Sequence, residues 1–111
     1  MYDKWINELK ADKIIKVGLI KGRHELPVDE YIWDKVEEGS LSEILPTAKN
    51  HALQWLNSKE FTELHLYPTG FGGYMTAFHW AWNNYKNKSG KKLIIHDHDK
   101  TTETYYGTTI E

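Results

Sequence analysis

The sequence predicts a small single-domain α/β fold, with a mixed sheet, a central βαβ unit, two main helices and a C-terminal β-hairpin. Three observations predict it. Ile14-Ile15-Lys16-Val17-Gly18-Leu19-Ile20 is a β-branched run that suits a strand buried on at least one face. Leu64-His65-Leu66-Tyr67 is a second apolar run; it stops at Pro68, which has no N–H to give, and a glycine-rich turn through Gly73 follows. A long aromatic stretch and a returning run, Leu93-Ile94-Ile95-His96, come next. Strand, helix and returning strand make a βαβ crossover, which is right-handed in nearly every known case. Lys92 to Ile110 reads as the hairpin, with Asp97-His98-Asp99-Lys100-Thr101-Thr102 as its polar turn and Thr104-Tyr105-Tyr106 opening the return strand.

The remaining elements fall between these. Tyr2, Trp5, Ile6 and Leu9 lie at i, i+3, i+4 and i+7, the spacing of a short helix with one apolar face. Glu30-Tyr31-Ile32-Trp33 suits a brief second strand or an extended segment, and the chain turns polar from Asp34 to Ser40, ending at Gly39. Ser42, Glu43 and Pro46 signal a helix start; Ala48, Ala52, Trp55 and Leu56 form its apolar stripe, and Asn57-Ser58-Lys59 closes it. His51 sits off that stripe, as a surface residue would. The second helix runs from Tyr74 to about Lys86, and Met75, Phe78, Trp82 and Tyr85 make a stripe that faces a core.

Size and charge bound the function. A chain of 111 residues with 40% hydrophobic content supports one core, so residues 1–111 are expected to form one domain. A formal net charge of -2 and a pI near 6.3 do not suit a general binder of long nucleic acid or of a membrane surface. There is no cysteine, hence no disulfide, thiolate metal site or cysteine nucleophile, and no run approaches the roughly 20 apolar residues of a membrane span. A cytoplasmic protein is expected. Arg23 is the only arginine, so a bidentate grip on phosphate falls to it or to another subunit.

Two segments are candidate site elements. A helix that begins straight after Thr69-Gly70-Phe71-Gly72-Gly73 offers unpaired N–H groups and a positive dipole end to an anion, and Thr69 adds a hydroxyl. The turn matches neither standard phosphate-binding glycine pattern, and a purely structural turn accounts for it equally well. Lys21-Gly22-Arg23-His24-Glu25 concentrates charge at the end of the first strand, where it suits either an anionic ligand or an ordinary solvated turn. If the first strand runs parallel to the central pair, three polar loops meet at one edge of the sheet: Gly22 to Glu25, Pro68 to Gly73 and His96 to Lys100. Ligands of open α/β sheets bind at that edge.

Other chemistries have less support. His96 and His98 are two apart, on one face of a strand, with Asp97 and Asp99 beside them; His24 or His65 is available as a third metal ligand, but no metal motif is present. The paired H-x-T/S motifs of two-histidine phosphodiesterases are missing, and the residue at the strand-to-helix turn is Thr69 where a serine hydrolase has its nucleophile. A nuclease in which His24 or His96 activates a ribose hydroxyl needs neither metal nor motif and is the alternative.

The strand ending in Lys21-Gly22-Arg23-His24-Glu25-Leu26-Pro27 with Tyr31-Ile32 beyond it, the element Leu64-x-Leu66-Tyr67-Pro68-Thr69-Gly70-Phe71, and His96-Asp97-x-Asp99-x-x-Thr102-x-x-Tyr105-Tyr106 resemble the phage anti-Thoeris sponge proteins. Leu-Tyr-x-Thr-Gly is more loosely similar to an element of CARF-like sensors of cyclic oligoadenylates. The resemblance covers roughly Ile14 to Ile110. It implies a binder without catalytic residues or cofactor, which sequesters a cyclic ADP-ribose isomer, and in some members cyclic oligonucleotides, in the host cytoplasm as a dimer or higher homo-oligomer. It further implies that Arg23 pairs with phosphate, that Thr69 and Gly70 line phosphate or ribose, and that Phe71 or a nearby aromatic stacks on adenine; His24, beside Arg23, is a candidate from the charge of its segment. His96 and Lys100 complete the implied set. Pro68 fills the variable position of the motif and removes one backbone donor there.

Overall fold

A computed structural model describes residues 13–22, 26–68 and 72–110. Five strands, β1 (Ile14–Ile20), β2 (Glu30–Trp33), β3 (Glu63–Tyr67), β4 (Lys92–Asp99) and β5 (Thr104–Ile110), form one mixed sheet in the order β2-β1-β3-β4-β5. The first four are parallel, and β5 closes the sheet antiparallel to β4. The expected α/β architecture is therefore present, and the first strand does run parallel to the central pair. The N-terminal helix expected over Tyr2 to Leu9 lies outside the described residues. Among the described residues no helix is long and apolar enough to cross a membrane.

Two helices, α1 (Leu41–Ser58) and α2 (Gly72–Asn84), follow β2 and β3 respectively. Ala48, Ala52 and Leu56 of α1 and Ala77, Phe78, Ala81 and Trp82 of α2 share one buried cluster with Val17, Leu64, Leu66, Leu93 and Ile95. Side chains alternate across a strand, so these sheet residues all belong to one face and both helices cover it. The alanines let the two helices lie close to each other over the sheet, and Phe78 is fully buried, with Tyr85 2% exposed. The Phe78, Trp82 and Tyr85 stripe is core, as its spacing predicts. Below it Phe61 lies near-parallel to Trp82 and Tyr85, and the Lys91 ammonium sits over the Phe61 ring, 4.6 Å from its centroid, while donating to the Tyr85 hydroxyl.

Four expected boundaries shift, each for a local reason. α1 begins at Leu41, so Pro46 lies inside the helix, where its missing N–H leaves the Ser42 carbonyl without its usual helical donor. Gly72 and Gly73 belong to the first turn of α2 and are not part of the preceding turn; a Cβ on Gly73 would come within 2.7 Å of Leu41 Cδ2, so this glycine admits α1. α2 stops at Asn84, whose side-chain amide turns back to donate to the Trp80 carbonyl. Finally β4 runs to Asp99, and the hairpin turn is only 100–103, with Glu103 at φ 55. β3 accompanies β4 only as far as Ile95; from His96 on, β4 pairs with β5 alone. The polar residues His96 to Asp99 thus sit in a two-stranded arm beyond the carboxyl edge of the parallel strands.

Candidate functional site

The face of the sheet opposite the helices carries the residues that alternate with the leucines. On β3 these are Glu63, His65 and Tyr67; on β4 they are Ile94, His96 and His98; on β1, Lys16 and Gly18. No other described helix or strand covers this face. Register brings three rings into a row. His96 lies between His65 and Tyr67, with ring centroids 4.8 Å and 4.5 Å away and interplanar angles of 19° and 7°. Tyr105 meets Tyr67 edge-on at 5.1 Å, and His98 meets Tyr105 in the same manner at 5.3 Å. Gly107 makes room for the row, because a Cβ there would come within 3.1 Å of His96 Cε1.

A hydrogen-bonded chain runs through this row, with His65 and His96 meeting edge to edge. His65 Nε2 lies 2.6 Å from Glu63 Oε1, and His65 Nδ1 lies 2.6 Å from His96 Nε2. A carboxylate only accepts, so Nε2 of His65 holds a proton and donates it to Glu63. With His65 neutral, its Nδ1 accepts from His96 Nε2–H, and Nδ1 of His96 is left basic. The arrangement is a carboxylate, histidine, histidine relay that can take up a proton at one end and balance the charge at the other.

Burial, more than any neighbour, holds the His96 pKa below the ordinary histidine value; His65 and Lys16 push the same way, and Asp97 opposes them. Burial likewise raises the Tyr67 phenol, with a smaller contribution from Tyr105, so Tyr67 stays protonated at neutral pH. Because the folded form takes up the His96 proton at lower pH than the unfolded chain does, this residue's share of stability is complete above about pH 6.5 and is lost as pH falls from there through the folded value. His96→Gln is expected to flatten that part of the acid limb. Urea midpoints of both proteins between about pH 7.5 and 5 check it.

The sequence-derived site residues divide. His96 stands in the ring row. Lys100 opens the turn at the tip of the hairpin arm, exposed and four positions further along. Arg23, His24, Thr69, Gly70 and Phe71 lie outside the described residues, but the ends of the strands that lead to them are fixed. Lys21 N–H donates to the Trp33 carbonyl, which ties the exit of β1 to the end of β2. Tyr67 is the last residue of β3, and Gly72 starts α2. The exits of β1 and β3 and the β4–β5 arm therefore share one edge of the sheet.

The sequence motifs give Glu63 no role, contain Tyr67 and Tyr105 without assigning them one, and offer His65 only as a spare metal ligand. The signal was there in the alternation Glu63-x-His65-x-Tyr67 against Ile94-x-His96-x-His98, which puts every polar or aromatic member on one face. Among the described residues no group of three or more histidines, aspartates or glutamates is arranged to hold a metal ion. No family model, characterised protein or solved structure matches the chain.

Proposed function

We propose that the chain binds a cyclic nucleotide and holds it without cleaving it, as a sponge for a signal of the cyclic ADP-ribose type. The observation that carries this reading is the parallel alignment of β1, β3 and β4, which brings the Gly22 and Pro68 exits to one edge, beside a row of near-parallel rings ending at Tyr67. Stacked rings at the carboxyl edge of a parallel sheet suit a purine, and the motifs leading out of β1 and β3 supply the cation and backbone donors for its phosphates. The setting, a phage countering a bacterial immune signal in the host cytoplasm, comes from the resemblance, as does assembly into a homo-oligomer.

A second reading, a metal-independent cyclic-nucleotide phosphodiesterase, is favoured by one observation, the Glu63–His65–His96 relay. A general base of this kind can activate a ribose hydroxyl. One experiment separates the two. Thermal shift against cyclic ADP-ribose isomers, cyclic dinucleotides and cyclic oligoadenylates identifies a ligand, which is then recovered from heat-denatured complex. A sponge returns it intact, with a raised Tm because only the native state binds; an enzyme returns it cleaved; no shift with any nucleotide rejects both. For the bound ligand, Arg23→Ala is expected to cost roughly 1.5 to 3 kcal/mol of affinity, the usual loss of a hydrogen bond to a charged group. Calorimetric titration of the variant measures it.

A further inference from the structure

On the helix side of the sheet, away from the ring row, β2, the segment after it and the first half of α1 flank a half-open cavity of about 530 Å³, the size of a small-molecule site. It shares no residue with the ring row. Its aromatic wall is Trp33, Tyr74 and His51. Trp33 meets Tyr74 edge-on at 4.9 Å and lies 5.6 Å from His51. Two hydrogen bonds hold this wall in place. The Tyr74 hydroxyl accepts from the Glu37 N–H at 2.7 Å, and His51 Nε2–H donates to the Ile32 carbonyl at 2.6 Å. The first ties the segment after β2 to α2, and the second ties α1 to β2, so the rings are positioned before any ligand arrives.

The charges around the wall decide what fits. Asp34, Glu37, Glu38 and Glu43 line the cavity against Lys35 alone, and none of the four has an ion-pair partner among the described residues. Four carboxylates around one cavity disfavour a phosphate or carboxylate ligand there. Aromatic walls with an acidic lining are the surroundings that an ammonium or guanidinium group prefers.

We propose that this cavity is a binding site for an organic cation, with the charged group among Glu37, Glu38 and Glu43 and the apolar body against Trp33 and Tyr74. It stands apart from the nucleotide reading, and neither depends on the other.

The test is calorimetric titration of the full chain at low salt with tryptamine, agmatine and choline. Indole-3-acetate serves as a control, since it carries the ring body of tryptamine with the opposite charge. At least one cation is expected to bind and to raise Tm, and indole-3-acetate is expected to do neither. Replacing the three glutamates together, E37Q/E38Q/E43Q, is expected to weaken binding by at least about tenfold, because the charge-assisted contacts are lost while the backbone bond of Glu37 remains. Thr47→Trp, at an exposed position lining the cavity, fills the space without touching the core and is expected to abolish binding. The proposal is overturned if none of the three cations binds, if indole-3-acetate binds as well as tryptamine, or if the folded Thr47→Trp protein binds undiminished.

Discussion

Truncation of Phe78 to alanine is expected to destabilise the fold by about 3–5 kcal/mol, the usual loss for a large aromatic removed from a tight core. Phe78 is fully buried, in a cluster that it shares with Leu64, Leu66 and Leu93 of the sheet and with Ala48 and Ala52 of α1. The alanines have no side chain long enough to move into the gap, so the cavity stays open and its cost is added to the lost transfer energy. Domains of this size are stable by only about 5–15 kcal/mol in all, so the variant is expected to fold marginally. Urea unfolding with an unchanged m-value and a lowered midpoint is the expected result. Tyr106→Ala is the contrast: at 70% exposure, the same loss of a ring is expected to change stability by no more than about 0.5 kcal/mol.

Gly18→Val is expected to cost about 3 kcal/mol, at the upper end of the overpacking range. Gly18 lies in β1 opposite Tyr31 of β2 and Tyr67 of β3, on the face away from the helices. A Cβ there would stand 2.5 Å from two carbons of the Tyr31 ring and 3.3 Å from a methyl of Leu26. The ring lies directly over the glycine, so it must swing away or the β1–β2 pairing must open. Because the contact is with one side chain, it can be tested by rescue. In the double variant Gly18→Val/Tyr31→Ala the total loss is expected to be smaller than the sum of the two single losses, and equal sums in a double-mutant cycle of urea midpoints count against the clash.

Much of the framework was legible because burial leaves a pattern in one strand or one helix at a time. Ile14–Ile20 and Glu30–Trp33 are strands with the expected bounds, and Phe78, Trp82 and Tyr85 repeat at the helical period because they line one buried face. Whatever depends on two segments meeting was harder to read. The contact of His65 with His96 needs the β3–β4 register, which pairs Leu66 with Ile95, and a single sequence does not state it. Polarity misled at the hairpin: Asp97, His98 and Asp99 look like a turn, but in a two-stranded arm beyond the sheet both faces meet water, so polar residues are compatible with strand. Glycine misled at Gly73, where the missing Cβ answers to Leu41 on another helix and not to a backbone angle. The acidic cavity escaped notice for the same reason, since its carboxylates come from the β2 exit and α1 while Tyr74 comes from α2.

β1 comes first of the five in sequence yet sits between β2 and β3 in the sheet, and this order sets how the chain assembles. Ile14 pairs with Glu63 and Gly18 with Tyr67, so the ladder on one side of β1 cannot form until most of the polypeptide is available. During synthesis the β-branched run Ile14–Ile20 leaves the ribosome well before its β3 partner does, exposing the segment most prone to pair with a second nascent chain. The β1–β2 and β4–β5 ladders are local in sequence, and the second is made last, whereas β1–β3 joins distant segments. Folding is therefore governed by closure of long loops, in the slower regime of mixed α/β domains, and crowded expression should favour intermolecular strand pairing at β1 before it affects any other part of the protein.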